Sequence, residues 1–466
     1  MKNETIKTDL KRRIKIEVPQ KTINSSFLSA IQEVESLKEF YNTYRACWIR
    51  NRYAFEQENE IGLAVFRIID ELFESKTPEF DYENIKETPI QSHKFKDIIE
   101  LNIVKDEQQI NISYSMKQGF SKQDPQKSRS ELRKFDRQRE IFVRSILSNI
   151  VIIFEGYLAQ IYELLVVLNP ERYFEGKSVK INDLFSGPVG VIIYNEVHKQ
   201  VLDNMYDSLK TLRAMKKKSN FNVNRYITIQ DEFEEIYYRR NVFVHNRGYA
   251  NDIYLSNIAE KYKANIKCNE KINCDDDYIE NAINVLKKII CVLYYEFLLA
   301  SDSDQSCYDV LSDNVAFTAL SNGEYAVSEY IYGILRKHKN IEFIEKAVYE
   351  INYMIALKQQ KKPIDKLLEV FDVSAMQERF IVAKYCLQDN NEAVYTLLSK
   401  IYPEQIPAEW IRDWPLFIDF RKSEQYERFK AEHADDFKQY TFEATENQTI
   451  CETNDIIYEN IPSNLL

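Results

Sequence analysis

The chain is poor in the residues that punctuate a backbone, with 9 glycines and 11 prolines in 466 residues. Sandwiches and barrels need a turn every few residues, so this scarcity argues against both and favours helices. Histidine is scarcer still, at 5. His93, His198, His338 and His433 have no Cys, Asp or Glu neighbour at ligand spacing, which argues against a metal site. The seven cysteines, Cys47, Cys268, Cys274, Cys291, Cys307, Cys386 and Cys451, are odd in number, scattered and free of any C-x-x-C pair. Neither a disulfide framework nor a zinc site fits, and a reduced, cytoplasmic setting is expected. The most apolar span, 145–168, carries Glu155 and Glu163 and would make a poor membrane helix. The basic start, MKNETIKTDLKRRIKIEV, lacks the apolar core of a signal peptide. Positive charge is in deficit, 62 Lys and Arg against 73 Asp and Glu, for a net charge of -11. Overall charge therefore cannot hold nucleic acid, and any such contact must be local. No nucleophile elbow, kinase set or dinucleotide fingerprint occurs, and GPVG at 187–190 is too short for a phosphate loop and reads as a turn. No cofactor is expected.

What is present is apolar material, 44% of the residues, over a length beyond the roughly 250–300 residues at which single cores stop growing. The expectation is a mainly α protein of several domains. Residues 1–138 read as a helical N-terminal region, with three-to-four spacing over 26–75 and a β-hairpin near 96–117, where DIIELNIVKDEQQINISYSM places two β-rich runs around KDEQQ. A basic, loop-like stretch follows as far as Ser130. Residues 139–301 read as a helical bundle. Its last helix opens at the cluster DDD, 275–277, and sets Ile279, Ile283, Leu286, Ile290, Leu293 and Phe297 on one side. Residues 302–430 carry SNGEYAVSEYIYGIL, QKKPIDKLLEVF and DNNEAVYTLLSKIY, three versions of one helix signature. Glu324 and Glu392 lie two periods of ~34 residues apart, which resembles tetratricopeptide-type hairpins with the middle copy out of step. A solenoid of that kind offers a concave face to a protein trigger or inhibitor. Residues 431–466 read as a flexible acidic tail.

One stretch departs from this helical monotony: EIYYRRNVFVHNRG, 235–248. At ~100° per residue from Phe233, Ile236, Tyr237 and Val244 fall within about 60° and Phe243 within about 80°. Arg240 lies at about -20°, which predicts a guanidinium in the middle of an apolar stripe, where it needs fixed acceptors. Asn241 and His245 share a face about 100° round. On a regular helix Arg240 and His245 are about 140° apart. They meet only if the last turn loosens before Gly248, or if a two-fold axis brings the Arg of one subunit to the His of another. The bland alternative is a helix-end Arg paired with a carboxylate and a His capping carbonyls. The chemical alternative is metal-free RNA cleavage, which needs a base for the 2′-OH, an acid for the leaving 5′ oxygen and a cation for the phosphate.

The stretch EIYYRRNVFVHNRGYANDIYL, 235–255, resembles the HEPN superfamily of helical-bundle domains, whose hallmark is Arg, a polar residue, about three more positions and His. Arg240, Asn241 and His245 stand in those positions, and Asn246, Gly248 and Tyr254 look like the versions found in bacterial conflict proteins. The resemblance implies a metal-independent endoribonuclease of the toxin or abortive-infection type, dimeric through the central bundle, with Arg240, Asn241 and His245 catalytic. Two alternatives accompany it: a non-catalytic RNA-binding or dimerisation scaffold whose repeats bind a partner, and a toxin neutralised by a nucleotidyltransferase antitoxin.

Substrate contacts are sought in the neighbouring cations. Arg239 and Arg247 read chiefly as solvated charges, with phosphate contact as a second role. Basic runs at 117–139 and 210–225 read by default as solvated faces. The second precedes the motif helix, so Lys216, Lys217 and Lys218 are candidate RNA contacts, and Phe221 and Tyr226 candidate stacking platforms.

Overall fold

The computed structural model describes residues 20–74, 98–105, 110–116, 124–168, 195–199, 201, 203, 205, 207–219, 221–222, 224–264, 266–301, 303, 305–339 and 341–437. The turn expected at 187–190 and the tail beyond 437 lie outside them. Within them the chain is mainly helical. Helix α1 (Gln20–Glu58) and α2 (Glu60–Glu74) fill the N-terminal region. Strands β1 (Ile99–Lys105) and β2 (Ile110–Met116) pair antiparallel with Ile103 opposite Ile112, which is the expected hairpin. Helix α3 spans Pro125–Leu168. It begins five residues before the expected Ser130, because Pro125 suits a first helical position and the Asp124 carboxylate accepts from the Gln126 amide at 2.9 Å.

Next come α4 (Ser208–Ser219), α5 (Asn224–His245), the short α6 (Asp252–Asn257) and α7 (Glu260–Lys263), and α8 (Asp276–Ser301). Asp275 caps α8 as its acidic start predicts, accepting from the Tyr278 amide at 2.8 Å. The expected one-sided stripe is buried, but so are Ile289, Cys291, Val292, Tyr294, Tyr295 and Leu298. From Ile289 to Leu298 α8 is a central helix, covered on every side, rather than an amphipathic one.

The chain divides into two compact units. The first comprises Met1–Val34, Ile152–Glu235 and Asn281–Leu466, and the second Glu35–Val151 and Ile236–Glu280. Helices α1, α3, α5 and α8 therefore each contribute residues to both. In the first unit Phe27 stacks on Tyr294 with centroids 3.9 Å apart, and Phe154 meets Phe233 at 4.4 Å. In the second, Tyr44 stacks on Phe142 at 3.7 Å, and the Trp48 indole donates to the Phe135 carbonyl. Helix α3 is the one described helix long and apolar enough to cross a membrane. Within its apolar run Leu147, Ile150, Phe154, Leu158 and Leu165 are fully covered, while Ile152 is exposed.

The C-terminal helices belong to the first unit. They run through α9 (Gln305–Leu311), a π-helical segment (Ser312–Phe317), α10 (Thr318–Ser321), α11 (Tyr325–Leu335), α12 (Phe343–Gln359), α13 (Asp365–Val370), α14 (Glu378–Leu387), α15 (Asn391–Ile401), α16 (Ala408–Asp413) and α17 (Glu424–Glu432). Helix α11 packs on α12, and α14 on α15. Each of the three repeated signatures starts beside a left-handed residue: Gly323 (φ 77), Lys361 (φ 59) and Asp389 (φ 57). These residues close α10, α12 and α14, so the similarity has a backbone cause, a left-handed stop before the next helix. Helix α13, from the copy out of step, has six residues where α11 and α15 have eleven each.

Candidate functional site

Helix α5 carries the motif. Its first-unit part buries Tyr226, Ile229 and Phe233, and its second-unit part buries Ile236, Val242 and Phe243. The buried guanidinium, however, is that of Arg239, 8% exposed, while Arg240 is half-buried. Arg239 is therefore not the solvated charge expected, while Arg240, expected central, is covered only in part, with its Nε buried. Arg239 donates to the Asn273 carbonyl at 2.7 Å and to the Tyr254 hydroxyl at 3.4 Å, and lies 4.1 Å from the Tyr278 ring centroid. The physical reason is that the chain beyond Gly248 turns back and packs Tyr254, Asn273 and Tyr278 on a second side of α5. A one-stripe helical wheel assumes a single covered side. Arg239 is thus engaged within the fold and not turned outward to a phosphate.

Arg240 sits at the margin of the apolar face, its guanidinium 5.2 Å from the Tyr237 ring centroid. Val244, expected in the stripe, is 40% exposed. Asn241 is half-buried and His245 exposed. The helix runs unbroken to His245, so one turn aligns Asn241 with His245 while Arg240 stays about 140° from the imidazole. The loosened last turn is not observed. Within one chain the structure brings two of the three motif residues onto one side and leaves the third on another.

The helix end is closed by a specific backbone path. The amides of Asn246 and Gly248 both donate to the Val242 carbonyl, at 2.8 and 3.2 Å. Arg247 (φ 54) and Gly248 (φ 84) are left-handed, a reversal that requires glycine at the second position. The Asn246 side-chain amide donates to the Tyr249 carbonyl, and Asn251 caps α6 by accepting from the Tyr254 amide at 2.9 Å. The returning chain pairs through an antiparallel bridge between Tyr249 and Lys271, with Ala250 donating to Glu270 and Ile272 to Gly248. Asn246, Gly248 and Tyr254, which trail the motif, thus build the platform that holds His245 at the surface.

One feature of this unit was not identified from the sequence. Asp276 accepts from the Tyr41 hydroxyl, Arg45 Nε and Arg139 Nη2, each at 2.8 Å. Burial pushes its pKa upward, but the hydrogen bonds from Arg139 and Tyr41 and the nearby guanidinium charges outweigh this and hold it below the ordinary carboxylate value. Arg52 and Arg139 each lie near the Trp48 ring, at 5.1 and 5.3 Å. The available signal was the acidic cluster 275–277, which marks a helix start without naming partners more than a hundred residues away.

The remaining candidates divide. Arg247 is exposed. Lys216, Lys217 and Lys218 fall on α4, with side chains outside the described residues. Phe221 and Tyr226 are 1% and 2% exposed, so neither is available to stack on bases. Both rings were the apolar anchors of their segment rather than its surface, and Arg225 beside them pairs with the buried Glu296. Among the described residues no group of His, Cys, Asp and Glu could hold a metal ion. No protein-family model, no curated protein and no solved structure matches this chain.

Proposed function

We propose that the protein is a metal-independent endoribonuclease of the HEPN type, acting on tRNA or mRNA as a toxin or abortive-infection effector in anti-phage defence. His245 acts as general acid/base: it takes the 2′-OH proton as the 2′ oxygen bonds to phosphorus, and the resulting imidazolium returns that proton to the 5′ oxygen as the P–O5′ bond breaks, giving a 2′,3′-cyclic phosphate and a 5′-OH end. Arg240 holds the phosphate as charge develops, and Asn241 orients the imidazole or the phosphate. A two-fold axis through the α5 ends supplies the Arg240 of one subunit to the His245 of the other, which the separation of the two around a single helix requires. The N-terminal region or the C-terminal helices restrain the dimer until a trigger is sensed.

The observation that carries this reading is the presentation of the motif. Arg239 and the Gly248 reversal anchor the helix end from inside, while the motif's own His245 is exposed beside Asn241. A purely structural histidine would be expected to face inward or cap a carbonyl. The test is incubation of the purified protein with total RNA in EDTA, followed by analysis of fragment ends. Cyclic phosphate ends lost in His245→Ala and Arg240→Ala support the proposal. Cleavage that demands a divalent metal, or survives both substitutions, refutes it.

A further inference from the structure

Helix α3 carries a stripe of cations that the proposed chemistry does not use. Over its exposed N-terminal half, Lys127, Lys134, Arg137, Arg144 and Arg133 fall within about 120° of one another at ~100° per residue. The stripe runs about 25 Å along the helix. Three carboxylates share the segment, and each lies at or beyond the margin of the stripe in an ion pair: Glu131 with Lys134, Asp136 with Arg52, and Glu140 with Lys271. Among the described residues Lys127, Arg133, Arg137 and Arg144 form no ion pair. In a protein of net charge -11, four such cations on one exposed face form a local positive strip suited to a polyanion.

The strip also has a direction. Arg137 and Arg144 are the i-3 and i+4 neighbours of Glu140 on the helix. Glu140 pairs with Lys271, Lys271 bridges Tyr249, and Tyr249 donates its amide to the Asn246 carbonyl, next to His245. All of these residues belong to the second unit. The basic end of α3 therefore adjoins the platform that presents the imidazole. Tyr249, 44% exposed, stands between the two, an aromatic ring where a base can stack.

We infer that the α3 strip of Arg133, Arg137 and Arg144 is the docking track for single-stranded RNA, with Tyr249 stacking a base as the strand passes to His245. The inference rests on RNA being the substrate, and it relocates docking from the 210–225 run to a face of α3 that begins in the 117–139 run and continues to Arg144. Phosphates contact the guanidinium groups in a sequence-independent way, and the exposed ring selects unpaired bases over a duplex.

The test is binding, measured in a His245→Ala background so that cleavage cannot interfere. The full chain is titrated with a fluorescent unstructured RNA 20-mer at several salt concentrations, alone and against duplex RNA and DNA of the same sequence. The triple variant Arg133→Glu, Arg137→Glu, Arg144→Glu is expected to weaken binding at least tenfold, and the triple Gln variant to flatten the salt slope by about two. The triple Lys variant retains most binding, because phosphate contact needs charge above geometry. Tyr249→Ala costs roughly fivefold on the single strand and little on the duplex. Equal loss in the control Lys366→Glu, Lys400→Glu, Lys430→Glu overturns the inference, as does equal affinity for duplex and single strand. If the Glu variant does not fold, the Gln variant replaces it, and unchanged affinity there is equally fatal. RNA bound on the strip but never cut by the wild type sinks the nuclease reading alone. RNA cut normally by the strip variants sinks the docking track alone.

Discussion

The motif end in the second unit and the C-terminal half of the first unit treat their polar side chains in opposite ways. In the first unit Lys287 and Glu324 form an ion pair at 2.7 Å with both side chains covered. There too, buried Asn352 donates to the Tyr332 hydroxyl and accepts from the Trp414 indole. These groups hold helices together and offer nothing to solvent. At the motif end one arginine, Arg239, plays that internal role, and its neighbours Arg240, Asn241 and His245 are left at or near the surface. Burial thus grades these neighbours, from Arg239 sealed inside, through half-buried Arg240 and Asn241, to exposed His245.

The sharpest way to break this contrast is through its exposed side. His245→Ala should reduce RNA cleavage in EDTA by about 10²–10⁴-fold. Its unfolding free energy in urea should stay within about 0.5 kcal/mol of wild type, because no core contact is removed. A large loss of stability would show that His245 belongs to the internal class.

The converse substitution is Lys287→Met, which leaves Glu324 as a buried charge without its lysine. Denaturant unfolding should show a loss of about 3–5 kcal/mol, with activity per folded molecule unchanged.

Arg239→Met sharpens the comparison within the motif itself. Losing the hydrogen bonds made by this buried cation to Asn273, Cys274 and Tyr254 should destabilise by about 2–3 kcal/mol, more than Arg240→Met. The cleavage loss should rank the other way. Equal effects of the two on stability would remove the distinction drawn between neighbouring arginines.

The smallest effects are in pH dependence, where two carboxylates of α8 diverge. Asp276 in the second unit is held below its ordinary value, so its contribution is present at neutral pH and lost as pH falls through the lowered pKa. The stability difference between wild type and Asp276→Asn should therefore be constant from pH 7 to about 4 and shrink below that. Glu296 in the first unit is pushed up by burial, against the pull of Arg225. Its folded form takes a proton first, so wild type should gain on Glu296→Gln as pH falls from 7 towards the ordinary value. Urea midpoints at pH 7, 5, 4 and 3 distinguish the opposite slopes.

Much of the fold was legible because it is local. The period of 3.6 around the motif, the alternation around KDEQQ and the acidic start of α8 each depend on neighbours within a few residues, and each element formed, the motif helix starting earlier, at Asn224, than its expected start near Asp231. Pro125 extended α3 beyond its expected start for an equally local reason, a cap that a basic, polar composition had concealed. The motif residues Arg240, Asn241 and His245 could be picked out by type and spacing. Their exposures could not, because exposure depends on what arrives from elsewhere in the chain. Phe221 and Tyr226 illustrate the same point, since an aromatic beside lysines looks alike whether it stacks on a base or fills a core.

By itself, then, the sequence determined that Gly248 suits the end of the helix and that Asn241 and His245 share one side of it, and it left open whether the last turn loosens. Which of two successive arginines is sealed inside was decided only by the tertiary structure. The turn at Gly248 sends Tyr254, Asn273 and Tyr278 back against the helix, giving it a second covered side. A guanidinium is buried where a carbonyl, a hydroxyl and a ring converge on it, and those groups come from residues 15 to 39 positions further along the chain.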